Sequence, residues 1–194
     1  MRTHIRRTCT GMFGVFALVL LVSTLLPSRA AAYSYAGMKW SQGYANFNLD
    51  IAGWDPNQII TPSYAWTDAG ARFYFKYRGN SIYHGGDGQN TVTRFKLGSS
   101  ALAVTYIRWS GSSVVEVDTV INMDYSNWSS TGQAGYYDIQ NVMTHEFGHW
   151  LVLKDLYNWI TDGQKTMYGS AGTGETKKRS LESDDINGIR AIYP

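Results

Sequence analysis

The chain has 194 residues, which is enough for one domain with a substantial core, or for one domain and a targeting segment. Residues 1–32 hold four of the 17 lysines and arginines and no acidic residue, so the rest of the chain has 13 basic and 15 acidic residues. That balance gives no support for nucleic-acid binding. The single cysteine, Cys9, lies in the same segment, so we expect no disulfide in the rest of the chain.

The first 32 residues have the three parts of a secretory signal peptide. A basic start precedes a short apolar run at residues 11–26, and small residues in an A-x-A arrangement follow it. The residues that mark the two ends are Arg2, Arg6, Arg7, Ala30 and Ala32. The apolar run is short for a membrane span. We therefore expect residues 1–32 to be a cleaved signal peptide and residues 33–194 to be one secreted, extracellular domain without stable membrane association.

The first elements after this segment are predicted to be two strands with a helix between them. Residues 44–51 alternate between polar and apolar side chains, as in a half-buried strand, and residues 71–79 do so again. Pro56 stands at a favourable helix start. Pro62 removes a backbone donor, so we expect this helix to be bent or shortened there.

The second half of the chain contains two more strands and two helices. A glycine-rich loop at residues 84–90 precedes the predicted strands at 101–109 and 113–122. A helix is predicted to begin at Asp138, and a long polar loop separates it from a last helix within residues 182–194. This order of elements predicts one α+β domain.

The predicted helix after Asp138 carries the pattern H-E-x-x-H at His145, Glu146 and His149. The two histidines are four residues apart, so both rings project from one face and can bind the same zinc ion. Glu146 is placed to take a proton from a water held by the metal. Incidental histidines on a surface helix are the alternative, but two of the three histidines in residues 33–194 belong to this pattern.

A catalytic zinc ion usually has three protein ligands and one open position. Four residues are candidates for the third ligand by residue type alone: His84, Asp155, Glu175 and Glu182.

The sequence around the histidines resembles the metzincin peptidases, whose motif is H-E-x-x-H-x-x-G-x-x-H. This chain reads H-E-F-G-H-W-L-V-L-K-D, with Asp155 at the last position. It is similar to the snapalysin-type metzincins, in which aspartate is the third ligand. The resemblance implies that His145, His149 and Asp155 bind zinc, and a carboxylate oxygen is an ordinary zinc ligand.

The resemblance extends over residues 37–194 and is most specific to the matrixin branch. Met167, followed by tyrosine, stands where metzincins have a methionine turn below the metal. The strand at 113–122 and the last helix also resemble matrixin segments. This implies a metzincin-type single catalytic domain with a twisted mixed β-sheet, an active-site helix and a C-terminal helix.

The main departure from the motif is Val152, which replaces the glycine of the turn after the helix. A β-branched residue resists a positive φ. We therefore expect the helix to run slightly further than in the family, which leaves the position of Asp155 less well defined.

Two further features concern ligands other than zinc. Ala101, Leu102 and Ala103 resemble the matrixin edge strand that pairs with an extended polypeptide substrate, although an internal strand is an equal alternative from the sequence. Asp87 and its neighbouring glycines are candidates for a calcium site, since matrixins commonly carry calcium, but the spacing matches no complete calcium loop.

Together these features predict a secreted, monomeric zinc endopeptidase in which Glu146 acts as general base and then as general acid. The alternative is a catalytically impaired metzincin-fold protein that binds polypeptides. Loss of the turn glycine and of the third histidine motivates it, and retention of Glu146 argues against it.

Overall fold

The computed structural model describes residues 33–194, so the predicted signal peptide lies outside the described part. A five-stranded sheet dominates the fold, with strand order β2-β1-β3-β5-β4. Its strands are β1 (Tyr44–Asp50), β2 (Tyr74–Asn80), β3 (Thr91–Phe95), β4 (Ala103–Ser110) and β5 (Ser113–Asn122). A two-stranded sheet is formed by β6 (Trp128–Ser129) and β7 (Tyr137–Asp138). The helices are α1 (Asn57–Thr67), α2 (Ile139–Trp150), α3 (Trp159–Asp162) and α4 (Ser183–Ile192), with a 3₁₀ turn at Lys177–Arg179.

The main sheet is mixed, and its only antiparallel pair in the described residues lies at one edge. Strands β1, β2, β3 and β5 pair in parallel, whereas β4 runs antiparallel to β5 and has no neighbour on its other side. The hairpin between β4 and β5 turns at Gly111, which has a φ of 58°. The predicted α+β class is therefore confirmed, with the mixed sheet that the resemblance implied.

Helix α2 is fixed to the sheet by aromatic side chains. The ring of Phe147 lies 5.4 Å from that of Phe47 on β1 and 4.9 Å from that of Phe75 on β2. Trp150 is fully buried in the same cluster. Aromatic pairs at these distances add to the gain from burial. The helix therefore has one apolar side against the sheet, and its two histidines lie outside this packing.

Helix α1 passes through Pro62. The helix continues for its full 11 residues, so it is not shortened there, and a bend at Pro62 stays a prediction. Pro62 and Trp66 are buried, and the indole of Trp66 donates a hydrogen bond to the carbonyl oxygen of Thr144 on α2 at 2.8 Å. This packing offsets the backbone hydrogen bond that the proline removes.

Strand β3 was not predicted from the sequence. Its residues Thr91, Val92 and Thr93 are all buried in the middle of the sheet, so buried and exposed positions do not alternate along them. The β-branched run directly after a glycine-rich loop was the available signal.

The last helix, α4, begins with a capping box between Glu182 and Asp185, as the acidic residues at its start allow. Its buried side contains Ile189 and Ile192. Within residues 33–194, none of the helices has the length and apolar character needed to cross a membrane.

Candidate active site

The N-terminus of α2 is held in place by Asp138. One oxygen of this buried carboxylate accepts hydrogen bonds from the backbone N–H of Asn141 and from Arg179 Nε, both at 2.9 Å. Asp138 is thus the helix cap that the sequence predicted, and Arg179 neutralises its charge.

Each histidine ring of α2 is oriented by a backbone carbonyl group. His145 Nδ1 lies 2.8 Å from the carbonyl oxygen of Thr166, and His149 Nδ1 lies 2.8 Å from that of Leu153. A carbonyl oxygen can only accept, so each Nδ1 carries a proton, and Nε2 is the ring nitrogen that can bind a metal ion once any proton on it is released. The rings lie 4.8 Å apart, and both Nε2 atoms are therefore available as ligands.

Asp155 lies directly against the two Nε2 atoms. Its Oδ1 atom is 3.1 Å from His145 Nε2 and 3.5 Å from His149 Nε2. Its Oδ2 atom accepts a hydrogen bond from the hydroxyl group of Tyr157 at 3.2 Å. Three potential metal donors from two segments of the chain thus converge on one point.

The electrostatics of this cluster favour a positive charge between the rings. Burial alone would lower the pKa of His149, but the hydrogen bond to Asp155 and the charges of Glu146 and Asp155 outweigh burial and raise this pKa to about 9. Burial likewise would raise the pKa of Asp155, but the hydrogen bonds from His145 and His149 hold it far below its ordinary value. A site that favours a proton here also favours a metal cation.

The other three candidates for a third ligand lie elsewhere. His84 is exposed in the loop after β2. Glu175 accepts hydrogen bonds from Asn141 and Gly172, and Glu182 caps α4. None of these three contacts the two imidazoles.

The turn after α2 corrects the expectation for Val152. The helix ends at Trp150 and does not run further, because Val152 adopts a φ of 59°. The backbone N–H of Val152 bonds to the carbonyl of His149, and that of Leu153 bonds to the carbonyl of Gly148. These are the two hydrogen bonds of a Schellman motif, with valine where glycine is usual. The side chain of Val152 is fully buried.

Met167 packs directly against α2. A β-carbon placed on Gly148 would lie only 2.1 Å from the sulfur of Met167, so this sulfur lies directly against the helix backbone at Gly148. The preceding residue, Thr166, orients His145 through its carbonyl and donates its N–H to the buried Asp185 of α4 at 3.0 Å. Thr166, directly before Met167, thus connects the last helix to the first histidine.

Glu146 lies in the same cluster. Its carboxylate oxygen and the ring nitrogens of the two histidines, all potential metal ligands, lie within 4.8 Å of one another. Its Oε2 atom accepts a hydrogen bond from the hydroxyl group of Thr105 on β4 at 2.6 Å. Sequence reasoning missed Thr105, because a threonine in a strand carries no motif that links it to a helix forty residues later.

A cleft of about 570 Å³ is lined by His145, Glu146, His149, Asp155 and Thr105. Ala101, Leu102 and Ala103 form part of one wall, as the resemblance to an edge strand implied. The internal-strand alternative is wrong, since β4 lies at the edge of the sheet. Lys178 also lines the cleft. The sequence did not predict this, because Lys178 stands between two other basic residues and such a run is usually exposed.

Lys178 holds the chain that follows the methionine turn. Its buried ammonium group donates hydrogen bonds to the carbonyl groups of Tyr168 and Ser170. Burial lowers the pKa of this lysine to about 8. The lysine therefore stabilises the segment at Tyr168 and Ser170, which forms one side of the cleft.

The glycine-rich loop considered for calcium is closed by protein groups. The carboxylate of Glu116 accepts hydrogen bonds from the N–H groups of Gly86 and Gly88, at 2.7 and 2.8 Å. Asp87 accepts hydrogen bonds from Gln89. Calcium binding through Asp87 stays a prediction.

The donor set fits zinc by its chemistry. Two neutral imidazoles and one carboxylate are a ligand set that catalytic zinc uses. Histidine ligands of zinc typically donate their second N–H to a carbonyl or carboxylate, as both rings do here.

Comparison with known proteins gives the family. The sequence model of the matrixin family matches residues 80–194, which is more than half of the chain. No curated protein sequence matches the chain. Among solved structures, myroilysin is 16% identical, with 81% of this chain and 82% of that chain covered and a TM-score of 0.49. High choriolytic enzyme 1, a hatching enzyme zinc-protease from the medaka fish Oryzias latipes, is 11% identical, with 80% and 92% covered and a TM-score of 0.40.

These solved structures are too dissimilar from this chain to indicate its function. The family is therefore assigned from the match to the sequence model. That match includes the H-E-x-x-H helix, the turn after it and the methionine turn. The chain belongs to the matrixin family of zinc metallopeptidases.

Proposed function

We propose that this protein is a secreted zinc endopeptidase that cleaves extended polypeptides. His145, His149 and Asp155 would hold the metal, and Glu146 would transfer the proton. The observation that supports this best is the convergence of both Nε2 atoms on Asp155 Oδ1, at 3.1 and 3.5 Å. A metal ion at this point would take the place of the direct contacts between these three side chains.

When bound, zinc supplies a Lewis acid that lowers the pKa of a water molecule and polarises a carbonyl group. The chain supplies the proton transfer. Glu146 takes a proton from the attacking water and delivers it to the departing amine, so it serves as general base and then as general acid. Its Oε1 atom takes part in no hydrogen bond within residues 33–194, whereas Oε2 is bonded to Thr105. The reactive oxygen is therefore Oε1.

The free edge of β4 would bind the substrate as an added strand. The carbonyl of Leu102 accepts a hydrogen bond from the N–H of Asn122 at 2.9 Å, so the peptide groups of Leu102 face β5. Because antiparallel pairing alternates along a strand, the N–H and C=O groups of Ala103 face away from β5. Ala103 is therefore the best placed of the three predicted substrate-binding residues.

Extended substrate is favoured because β-pairing requires an extended backbone. The test is digestion of an unfolded protein, such as reduced and alkylated casein, followed by mass spectrometry of the early products. Internal fragments are expected. Release of single residues from the chain ends would overturn the endopeptidase assignment and leave an exopeptidase. Zinc binding without any cleavage would favour a polypeptide-binding module.

A further inference from the structure

A chain of hydrogen bonds reaches Glu146 from the sheet. The indole Nε1 of Trp150 lies 2.8 Å from Thr119 Oγ1, which lies 2.7 Å from Thr105 Oγ1, which lies 2.6 Å from Glu146 Oε2. Thr105 and Thr119 face each other across the antiparallel pair of β4 and β5. Four side chains from three elements thus form one continuous path.

The donor direction along this path is fixed by its two ends. An indole N–H can only donate, and an ionised carboxylate can only accept. Thr119 therefore accepts from Trp150 and donates to Thr105, and Thr105 donates to Glu146. Every hydroxyl proton points toward the carboxylate, which makes successive hydrogen bonds strengthen one another.

Most of this path is buried. Trp150 and Thr119 are fully buried, Glu146 is 5% exposed, and Thr105 is half-buried. Trp150 is also fixed through its backbone, because its carbonyl oxygen accepts a hydrogen bond from the indole of Trp40 at 2.8 Å. The hydroxyl group at the end of the path is consequently held by the core of the sheet.

We infer that Thr105 is a positioning residue for the general base. Its hydroxyl group fixes Oε2 of Glu146, which sets the rotation of the carboxylate and leaves Oε1 directed to the water. This inference rests on the proposed function, since it assigns Glu146 the proton transfer. Catalytic groups that are held by a supporting network lose less conformational entropy when they reach the productive geometry.

The test uses two substitutions at one position in the full-length chain. Thr105→Val removes the hydroxyl group and keeps the shape and strand propensity of the side chain, whereas Thr105→Ser keeps the hydroxyl group. Both leave the backbone groups of β4 in place, so substrate pairing is retained. We expect Thr105→Val to lower kcat by about 10- to 100-fold with KM within about twofold, because an oriented general base contributes roughly 100- to 10,000-fold. Thr105→Ser should restore kcat to within about fivefold of the native value, since it retains the donor that the general base requires.

A second readout is independent of activity and of zinc. The indole N–H of Trp150 begins the path, so its ¹H–¹⁵N resonance in the metal-free protein should move in Thr105→Val and return toward the native position in Thr105→Ser. Zinc content should be equal in all three proteins, because Thr105 contacts none of the three proposed ligands.

The outcomes separate this inference from the proposed function. If the native protein cleaves polypeptides and Thr105→Val matches its kcat, the positioning role is wrong while the peptidase assignment stands. If Thr105→Ser is as impaired as Thr105→Val, the hydroxyl group is not the cause and the inference fails. If the native protein binds zinc and cleaves nothing, the proposed function fails, and the resonance of Trp150 still reports whether the path exists.

Discussion

His149 Nδ1 lies 2.8 Å from the carbonyl oxygen of Leu153, four residues further along the chain. Leu153 reaches this position only because Val152, directly before it, adopts a φ of 59° and turns the backbone out of α2. The same turn places Asp155 Oδ1 against both imidazoles. A strained valine therefore determines the geometry of the cluster proposed to bind the metal.

Substitutions at Val152 should separate strain from burial. A left-handed conformation costs a residue other than glycine about 1–2 kcal/mol, whereas burial of a valine side chain contributes about 1.5–3 kcal/mol. Val152→Gly removes both terms, so we expect it to be neutral or to destabilise by up to about 2 kcal/mol, with zinc affinity retained. Thermal unfolding of the metal-free and zinc-loaded proteins measures both.

Val152→Ala is the matched control for this prediction. Alanine loses most of the buried surface and keeps the β-carbon that opposes a positive φ, so the variant should be less stable than Val152→Gly. The opposite order of stability would mean that the φ of Val152 is not left-handed in the folded protein.

Removal of Asp155 should weaken zinc binding strongly. Asp155→Ala deletes one of three proposed ligands, and we expect the affinity to fall by at least about 100-fold, since even the loss of a residue that supports a ligand costs about 10- to 100-fold. Competition with a chromogenic chelator measures the affinity. Glu175→Ala is the control, because Glu175 was also a candidate by residue type and the structure holds it away from the imidazoles. The zinc affinity of Glu175→Ala should stay within about threefold of the native value. A larger loss in Glu175→Ala than in Asp155→Ala would show that Asp155 is not the third ligand.

The contact between Gly148 and Met167 predicts a steric effect. A β-carbon on Gly148 would lie 2.1 Å from the sulfur of Met167 and 2.9 Å from the indole of Trp66. Gly148→Ala should therefore destabilise the fold by about 1–3 kcal/mol, although alanine favours a helix by about 1 kcal/mol over glycine. Urea denaturation measures the change in the free energy of unfolding. A variant more stable than the native protein would show that Met167 does not pack against α2.

Asp118 should make stability depend on pH. Burial, together with a hydrogen bond to the carboxylate of Glu116, raises the pKa of Asp118 from 3.8 to about 7. The folded protein therefore holds one more proton than the unfolded chain between about pH 4 and 7. Stability must then fall as the pH rises through this window, by at most about 1.4 kcal/mol per pH unit.

Asp118→Asn tests this dependence, because an amide imitates the protonated carboxyl group. Its oxygen can accept from the N–H of Thr91, as Asp118 does at 3.0 Å, and its NH₂ can donate to Glu116. The melting temperature of the variant should fall less between pH 5 and pH 8 than that of the native protein. Equal slopes in the two proteins would show that Asp118 is ionised in the folded state.

The parts of the fold that depend on local pattern were predictable from the sequence. A helix was predicted to begin at Asp138, where α2 is capped, and a last helix was predicted within residues 182–194, where α4 lies. The H-E-x-x-H pattern specified two ring positions, because helix geometry alone brings residues four apart together. The strand β3 was not predicted, since it has only five residues and its buried and exposed positions do not alternate.

The parts of the site that depend on tertiary packing were not predictable. Val152 was expected to extend the helix, because local propensity opposes a positive φ, but its buried side chain and the two hydrogen bonds of the turn outweigh that preference. Thr105 and Lys178 reach the cleft only through strand pairing and loop closure, and neither belongs to a local motif. The proposal of Asp155 as third ligand required a family resemblance, because a single aspartate in a loop has no distinguishing pattern.

In the proposed mechanism, Glu146 performs proton transfer beside a metal held by other residues. The measurement that tests this role best is casein hydrolysis by the purified native protein and by Glu146→Ala, each expressed from the full-length chain and compared at equal zinc content. We expect hydrolysis by the native protein and a loss of at least about 100-fold in the variant, with zinc retained, because a general base contributes roughly that much. Equal hydrolysis by both proteins would show that Glu146 is not the general base, and loss of zinc from Glu146→Ala would show that it helps to hold the metal.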